Sequence, residues 1–139
     1  LNPKGVHVRL LRHTETTALI YIFRKNQLQM ALQTPQIQRF LHDFDYHDFD
    51  LDSALSILEE HLDAADFPHE IGVFLGYPLA DIRGFIANQG KNFKISGCWK
   101  VYTNPEHALR LFARYKKCVT IYLDRYAQGF DMNRLTVVG

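Results

Sequence analysis

The strongest constraint on the fold is a run of apolar side chains that recur at helical spacing between residues 108 and 126. The run keeps this spacing up to Gly129 and comprises Ala108, Leu111, Phe112, Tyr115, Val119, Tyr122, Leu123 and Tyr126. A stripe of this length predicts a long amphipathic helix, which must bury one face against other elements. Asn104-Pro105 precedes the run and is typical of a helix start, with a capping side chain followed by proline.

Two segments near the N-terminus have the pattern of β-strands instead. Val6–Arg12 alternates apolar side chains at positions 6, 8 and 10 with polar ones at 7 and 9, which predicts a half-buried strand. Residues 16–23 are β-branched and aromatic throughout, as in a strand that is covered on both faces. The short link at residues 13–15 makes a hairpin the simplest connection.

Between these ends, the pattern predicts several shorter elements. Residues 28–32, 35–44 and 51–62 have helical spacing, and Thr34-Pro35 and Asp50 or Asp52 are suited to begin the second and third helices. Residues 70–75 are predicted as a strand, Pro78 as the start of a helix that ends at Gly90, and residues 93–102 and 135–138 as strands. The predicted order is β-β-α-α-α-β-α-β-α-β. We therefore expect one α+β (mixed α/β) domain over residues 1–139, with helices packed on a sheet of about four or five strands.

Composition restricts the class of protein without naming a function. Two cysteines, Cys98 and Cys118, do not make a disulfide framework in 139 residues, which favours a reducing, cytoplasmic location. The chain contains no apolar run of membrane-spanning length, so no membrane span is expected. Charges are segregated: residues 43–70 carry acids without Lys or Arg, and basic side chains dominate residues 83–125. No nucleic-acid-binding motif accompanies the basic set, and a nucleic-acid partner is not expected.

The most distinctive candidate site is the turn Gly76-Tyr77-Pro78. A strand that feeds a helix leaves backbone N–H groups exposed at the helix start, where an anion can bind. Two alternatives remain for this segment, a ligand site and a purely structural turn. No glycine-rich nucleotide loop is present. The adjacent His69-Glu70 adds an imidazole that could act as an acid or a base, although neighbouring strand residues face opposite sides.

Two further groups carry side chains with possible chemistry. Residues 42–50 include two histidines and four aspartates, but their spacing matches no recognised metal site, and a solvated acidic loop is the preferred interpretation. Lys116-Lys117 precedes Cys118, and a basic neighbourhood can lower the pKa of a thiol. A small buried apolar role for that cysteine is the simpler alternative.

The segment Phe67–Pro78 resembles the bacterial domain-of-unknown-function family 3793. The resemblance continues through four groups of residues and covers nearly the whole chain: Asp81, Gly84-Phe85-Ile86, Asn88 and Gly90; Gly97 and Trp99-Lys100-Val101-Tyr102; Ala108, Phe112 and Tyr115-Lys116-Lys117-Cys118; and Leu1–Val6 with Leu135-Thr136-Val137. Members of that family typically carry an N-terminal segment with a Cys-Ala-Pro-Thr-Leu stretch, which this chain is expected to lack. The resemblance also implies an association with iron or redox physiology.

These observations lead to one leading hypothesis and two alternatives. The leading hypothesis is a cytoplasmic binding or regulatory module that holds a small anionic ligand or a protein partner at the turn, with no metal site assigned. Its candidate ligand-binding residues are His69, Glu70, Gly76, Tyr77 and Lys100. The first alternative is an enzyme with a cysteine nucleophile in the N-terminal segment and His69 as the base. The second is a purely structural assembly subunit.

Overall fold

The chain forms two compact units, which meet in sequence between Gly76 and Tyr77. The computed structural model describes residues 4–64 and 66–136. Strands and helices follow in the order β1 (Val6–His13), β2 (Ala18–Arg24), α1 (Lys25–Leu32), α2 (Pro35–His42), α3 (Leu51–Leu62), α4 (Ile71–Phe74), α5 (Leu79–Asn88), β3 (Ile95–Ser96), β4 (Lys100–Val101), α6 (Pro105–Ala127) and α7 (Met132–Leu135). The mixed α/β class is confirmed, but the sheet is not. Two separate antiparallel hairpins replace the expected sheet of four or five strands.

In the first unit, the β1–β2 hairpin packs against α1 and α3. The predicted hairpin is confirmed, with Val8 opposite Ile22 and Leu10 opposite Ile20. The prediction that β2 is covered on both faces is wrong, because Ile20 and Ile22 are exposed. Val8 and Leu10, expected on the buried side of β1, are exposed as well. The opposite face carries Arg9, whose guanidinium lies 2.7 Å from a carboxylate oxygen of Glu59 on α3, so the polar face of β1 contacts the acidic helix.

The first unit buries its core between the helices. Leu32 and Leu41 are inaccessible to solvent, as are Tyr46 and Leu58. The helix starts that the sequence predicts are confirmed. Pro35 occupies the first turn of α2, and the Asp50 side chain accepts a hydrogen bond from the Ser53 N–H at the start of α3. Such a cap satisfies one of the backbone donors that a helix leaves unpaired at its N-terminus.

The predicted strand at residues 70–75 is wrong, because this segment forms the short helix α4. Gly72, Val73 and Phe74 are all buried, and the Leu75 N–H donates to the Ile71 carbonyl as in a helical turn. A short run that is apolar almost throughout has no period that separates a strand from a helix. The run lies between Pro68 and Gly76, and both of these residues favour a short element.

In the second unit, α5 packs against the β3–β4 hairpin, and α6 contacts α7. The single strand predicted over residues 93–102 is wrong, because a turn at Gly97 divides it into two strands of two residues each. A β-carbon at Gly97 would lie 2.5 Å from the Phe112 ring, so only glycine fits there without displacement. Leu135 lies in α7 rather than in a strand, and residues 137 and 138 of that prediction are outside the described residues.

The long helix predicted from the periodicity is confirmed as α6, which has 23 residues. The Asn104 side chain accepts a hydrogen bond from the His107 N–H, and Pro105 follows in the first turn. The burial of α6 differs from the buried face expected along its whole apolar run, since Ala108 is the α6 residue that is buried. Within the described residues, no helix combines the length and the apolar character needed to cross a bilayer.

Candidate functional site

A cleft in the first unit lies beside Gly76, the first residue of the predicted site. Its volume is about 450 Å³. The lining comes from the hairpin, from α1 and from α4, and consists of Val6, Tyr21, Ile22, Phe23, Arg24, Gln27, Leu28, Ala31, Val73, Phe74, Leu75 and Gly76. Small-molecule sites typically have volumes of roughly 300–1,000 Å³ and mostly apolar walls with a few polar groups. The cleft therefore has the size and the character of such a site.

Two hydrogen-bonded contacts position the walls of the cleft. The buried Tyr21 hydroxyl on β2 donates a short hydrogen bond to the Phe74 carbonyl of α4. Burial raises the pKa of Tyr21 far above its usual value, so this hydroxyl keeps its proton and remains a donor at neutral pH. On the other wall, the Lys25 N–H donates to the Gly5 carbonyl, which joins the start of β1 to the start of α1.

The charge of the cleft comes from Arg24, where β2 passes directly into α1. Its guanidinium donates to the Lys4 carbonyl at 3.3 Å. No Asp or Glu is among the described residues that line the cleft. Gln27 and Leu28, in the first turn of α1, complete this side, and the N-terminus of a helix carries a partial positive charge. Arg24 is therefore the charged side chain among the described residues that line the cleft.

Gly76 lies at the edge of the cleft, in a backbone conformation that other residues adopt poorly. Its φ is 77°, in the left-handed region that favours glycine. A β-carbon at this position would meet no atom within 4 Å, so the glycine is required by backbone conformation and not by a close neighbour. The chain turns here from α4 towards α5.

Glu70 does not point into the cleft; it is a buried hydrogen-bond acceptor. Its carboxylate accepts from the Tyr46 hydroxyl at 3.2 Å and lies 2.5 Å from Nδ1 of His61. Glu70 is 1% exposed, whereas the His61 side chain is 29% exposed. Burial, followed by the Glu70 charge, raises the pKa of Tyr46 well above its ordinary value. The three residues make a polar network that joins α3 to the start of α4.

This network contains a residue that the sequence reasoning missed. A carboxylate that holds Nδ1 of an imidazole fixes its tautomer and leaves Nε2 for proton transfer. His61 occupies that position, and His69, the predicted base, is exposed just before α4. The only sequence signal was the nine-residue separation of His61 from Glu70, and that spacing matches no local motif.

The other two predicted ligand residues lie in the second unit and have structural partners there. Tyr77 packs on Trp99 with ring centroids 5.1 Å apart. Lys100 donates to the Gly90 carbonyl at 2.8 Å, and its ammonium lies over the rings of Phe85 and Phe93 at 5.6 and 5.0 Å. A cation over aromatic rings is stabilised by their negative faces. Of the five predicted residues, Gly76 is the one among the described lining of the cleft.

The second unit is organised around Asp81, another buried carboxylate that the sequence reasoning did not single out as a site. One of its oxygens accepts from the backbone N–H groups of Tyr102 and Thr103 and from the Thr103 hydroxyl, at 2.9 to 3.1 Å. The other oxygen accepts from the Trp99 indole at 2.9 Å. Four donors saturate this carboxylate, so its role is to hold the segment after β4 against α5.

The histidines and acids of residues 42–50 do not form a metal centre. The His42 and His47 rings lie 4.9 Å apart, edge to face. Within residues 4–64 and 66–136, no group of three or more His, Cys, Asp or Glu side chains is arranged to hold a metal ion. Both cysteines, Cys98 and Cys118, are free and exposed, which corrects the buried alternative for Cys118.

The family model described as "Protein of unknown function (DUF3793)" matches residues 1–136. The chain belongs to this family. No curated protein and no solved structure matches it. Membership therefore assigns the family without assigning an activity.

Proposed function

We propose that this chain is a binding module for a small anionic ligand with an apolar body, held in the cleft beside Gly76. The observation that supports the proposal is an apolar cleft of about 450 Å³ whose lining includes Arg24. Arginine binds carboxylate and phosphate groups with parallel hydrogen bonds, which gives orientation as well as affinity. Of the ligand residues expected from the sequence, Gly76 stays in the proposal.

The apolar walls favour the body of the ligand over a simple inorganic anion. Val6, Leu28 and Val73 are core residues of the unit and present aliphatic groups towards the cleft. Each buried methylene contributes roughly 0.8 kcal/mol to the binding free energy, so each carbon of a short alkyl chain raises the affinity several-fold. A medium-length aliphatic carboxylate is therefore a suitable probe of this chemistry.

The test is a titration by calorimetry with octanoate, butanoate and inorganic phosphate. We expect octanoate to bind more tightly than butanoate, and phosphate to bind weakly. Arg24→Gln should lower the octanoate affinity at least tenfold, because it removes the charge and keeps a side chain that can donate to the Lys4 carbonyl. The matched control is Lys25→Gln, which removes the same charge from a residue outside the cleft lining and should leave the affinity within twofold.

A second variant separates the cleft from general surface binding. Ala31→Leu adds apolar volume to the lining from α1, where leucine is also a good helix former. We expect it to weaken octanoate more than butanoate, because the longer chain needs the volume that is filled. Equal affinity for octanoate in the wild-type protein, Arg24→Gln and Ala31→Leu would rule out this location.

The enzyme alternative is supported by one observation, the imidazole of His61 held by Glu70. Were the N-terminal cysteine of the family a nucleophile, His61 would be a better-oriented base than His69. In a chain that includes that segment, His61→Asn should slow alkylation of that cysteine by iodoacetamide, and His69→Asn should not. Equal rates in all three proteins would exclude this alternative.

A further inference from the structure

The C-terminal half of α6 carries an apolar stripe that the described part of the chain leaves uncovered. The first turns of the helix are packed, with Ala108 buried and the Phe112 ring edge-on to Trp99 at 4.7 Å. Beyond them lies the tyrosine stripe, whose five members are 44–65% exposed: Tyr115, Val119, Tyr122, Leu123 and Tyr126. Contiguous exposed apolar side chains of this kind usually mark an interaction surface.

The spacing of the tyrosine stripe indicates the shape of its partner. Tyr115, Val119, Tyr122 and Tyr126 are separated by four, three and four residues, which is the alternation of a coiled-coil seam. The stripe therefore fits the side of another helix.

We propose that the tyrosine stripe is a homodimer interface, in which α6 packs antiparallel against α6 of a second copy. The stripe is self-complementary in this arrangement, as a two-fold interface must be. Tyr115 of each copy lies opposite Tyr126 of the other, and Val119 lies opposite Tyr122. Every layer of the seam then contains at least one tyrosine, and no layer is empty.

The charged side chains that flank the stripe, Lys116 and Arg125, lie opposite the uncharged Leu123 and Cys118 of the other copy in this register. Lys116 of one copy lies opposite Leu123 of the other, so its aliphatic stem covers an apolar side chain while its ammonium reaches water. The acid Asp124 lies on the far side of the helix from the stripe, by its position one residue after Leu123 and two before Tyr126. The antiparallel orientation also places opposite ends of the two helix dipoles side by side.

The available area is sufficient for a modest dimer. An aromatic side chain buries about 150–250 Å² when fully covered, so each half-exposed tyrosine contributes about 100 Å². Over the five members and two copies, the stripe buries about 1,000 Å², at the lower bound for a specific interface. We therefore expect a dissociation constant in the micromolar range.

The first test is sedimentation equilibrium over a range of micromolar concentrations. The wild-type protein should show a reversible monomer–dimer equilibrium, and Tyr122→Lys should weaken it at least tenfold. Leu10→Lys is the matched control, because Leu10 is 51% exposed on the β1–β2 hairpin and lies outside the stripe. It should leave the equilibrium within twofold. Folding of each variant is verified by circular dichroism and thermal melting.

The second test examines the antiparallel register directly. In a Cys98→Ser, Cys118→Ser background, Lys116→Cys combined with Leu123→Cys should form an inter-chain disulfide much faster than either substitution alone. A monomeric wild-type protein throughout the range would overturn the proposal, as would equal cross-linking rates. Stripe-dependent co-sedimentation with phosphatidylglycerol vesicles, by a protein that stays monomeric in solution, would overturn it in favour of a membrane surface.

Discussion

Removal of the Glu70 carboxylate should leave the buried Tyr46 hydroxyl without its hydrogen-bond acceptor, and a double-mutant cycle measures this effect. The Tyr46 side chain is fully buried and donates to Glu70 at 3.2 Å. Glu70→Ala loses this bond, the contact with His61 and the packed volume of the side chain, so we expect a loss of about 3–5 kcal/mol in the free energy of unfolding. Tyr46→Phe alone removes one hydrogen bond and should cost about 1–1.5 kcal/mol.

The combination distinguishes a bonded network from simple proximity. In the Glu70→Ala background, Tyr46→Phe removes a hydroxyl that has lost its acceptor, and should therefore be neutral or stabilising. The coupling energy should reach about 1–2 kcal/mol, measured by urea denaturation of the four proteins. Glu60→Ala, at an exposed acid beside His61, is the control for loss of charge and should couple to Tyr46→Phe by less than about 0.5 kcal/mol. Additive effects of Glu70→Ala and Tyr46→Phe would refute the network.

Three further predictions concern the second unit and the buried tyrosines. Asp81→Ala should lower the free energy of unfolding by at least about 3 kcal/mol, because four donors lose their shared charged acceptor. In urea denaturation, the stability of Asp81→Asn should lie between that of Asp81→Ala and that of the wild-type protein. Gly97→Ala should cost about 1–3 kcal/mol through its contact with Phe112, visible as a lower melting temperature; an unchanged value would contradict that packing. The raised pKa values of Tyr21 and Tyr46 mean that the unfolded chain loses these protons first. These two groups should leave the free energy of unfolding unchanged below about pH 10. Above that pH, each tyrosine should lower it by about 1.4 kcal/mol per pH unit. Tyr46→Phe should therefore reduce the slope in denaturation measured between about pH 9 and 11.

The sequence predicted the helices with clear caps and long periods, because those signals are local. Asn104-Pro105 and Thr34-Pro35 each precede a helix as expected, and α6 follows its apolar period to Ala127. The sequence-based prediction failed where a segment is short and apolar almost throughout. Residues 70–75 gave no usable period, and α4 forms there because Tyr21 and Glu70 anchor it through contacts more than eight residues apart in sequence.

The lining of the proposed cleft could be predicted only in part, for a related reason. Gly76 was identified from a local turn pattern, and it lies at the lip of the cleft. Arg24 and Ala31 come from a different part of the sequence, and the hairpin and α1 bring them to the same wall. Tyr77 and Lys100 were expected to be exposed members of the motif. In the structure the Tyr77 ring packs on Trp99, and the Lys100 ammonium donates to the Gly90 carbonyl.

The most direct test of the binding proposal is to map an octanoate titration by NMR on methyl-labelled protein. The proposal predicts saturable shifts of the Val6, Leu28 and Val73 methyl signals, with the Arg24 side-chain N–H signals moving in parallel. Val101, which is buried in the second unit, should not respond. Shifts that are absent from the three cleft methyls, or that persist unchanged in Arg24→Gln, would contradict the central claim that this cleft binds an anion.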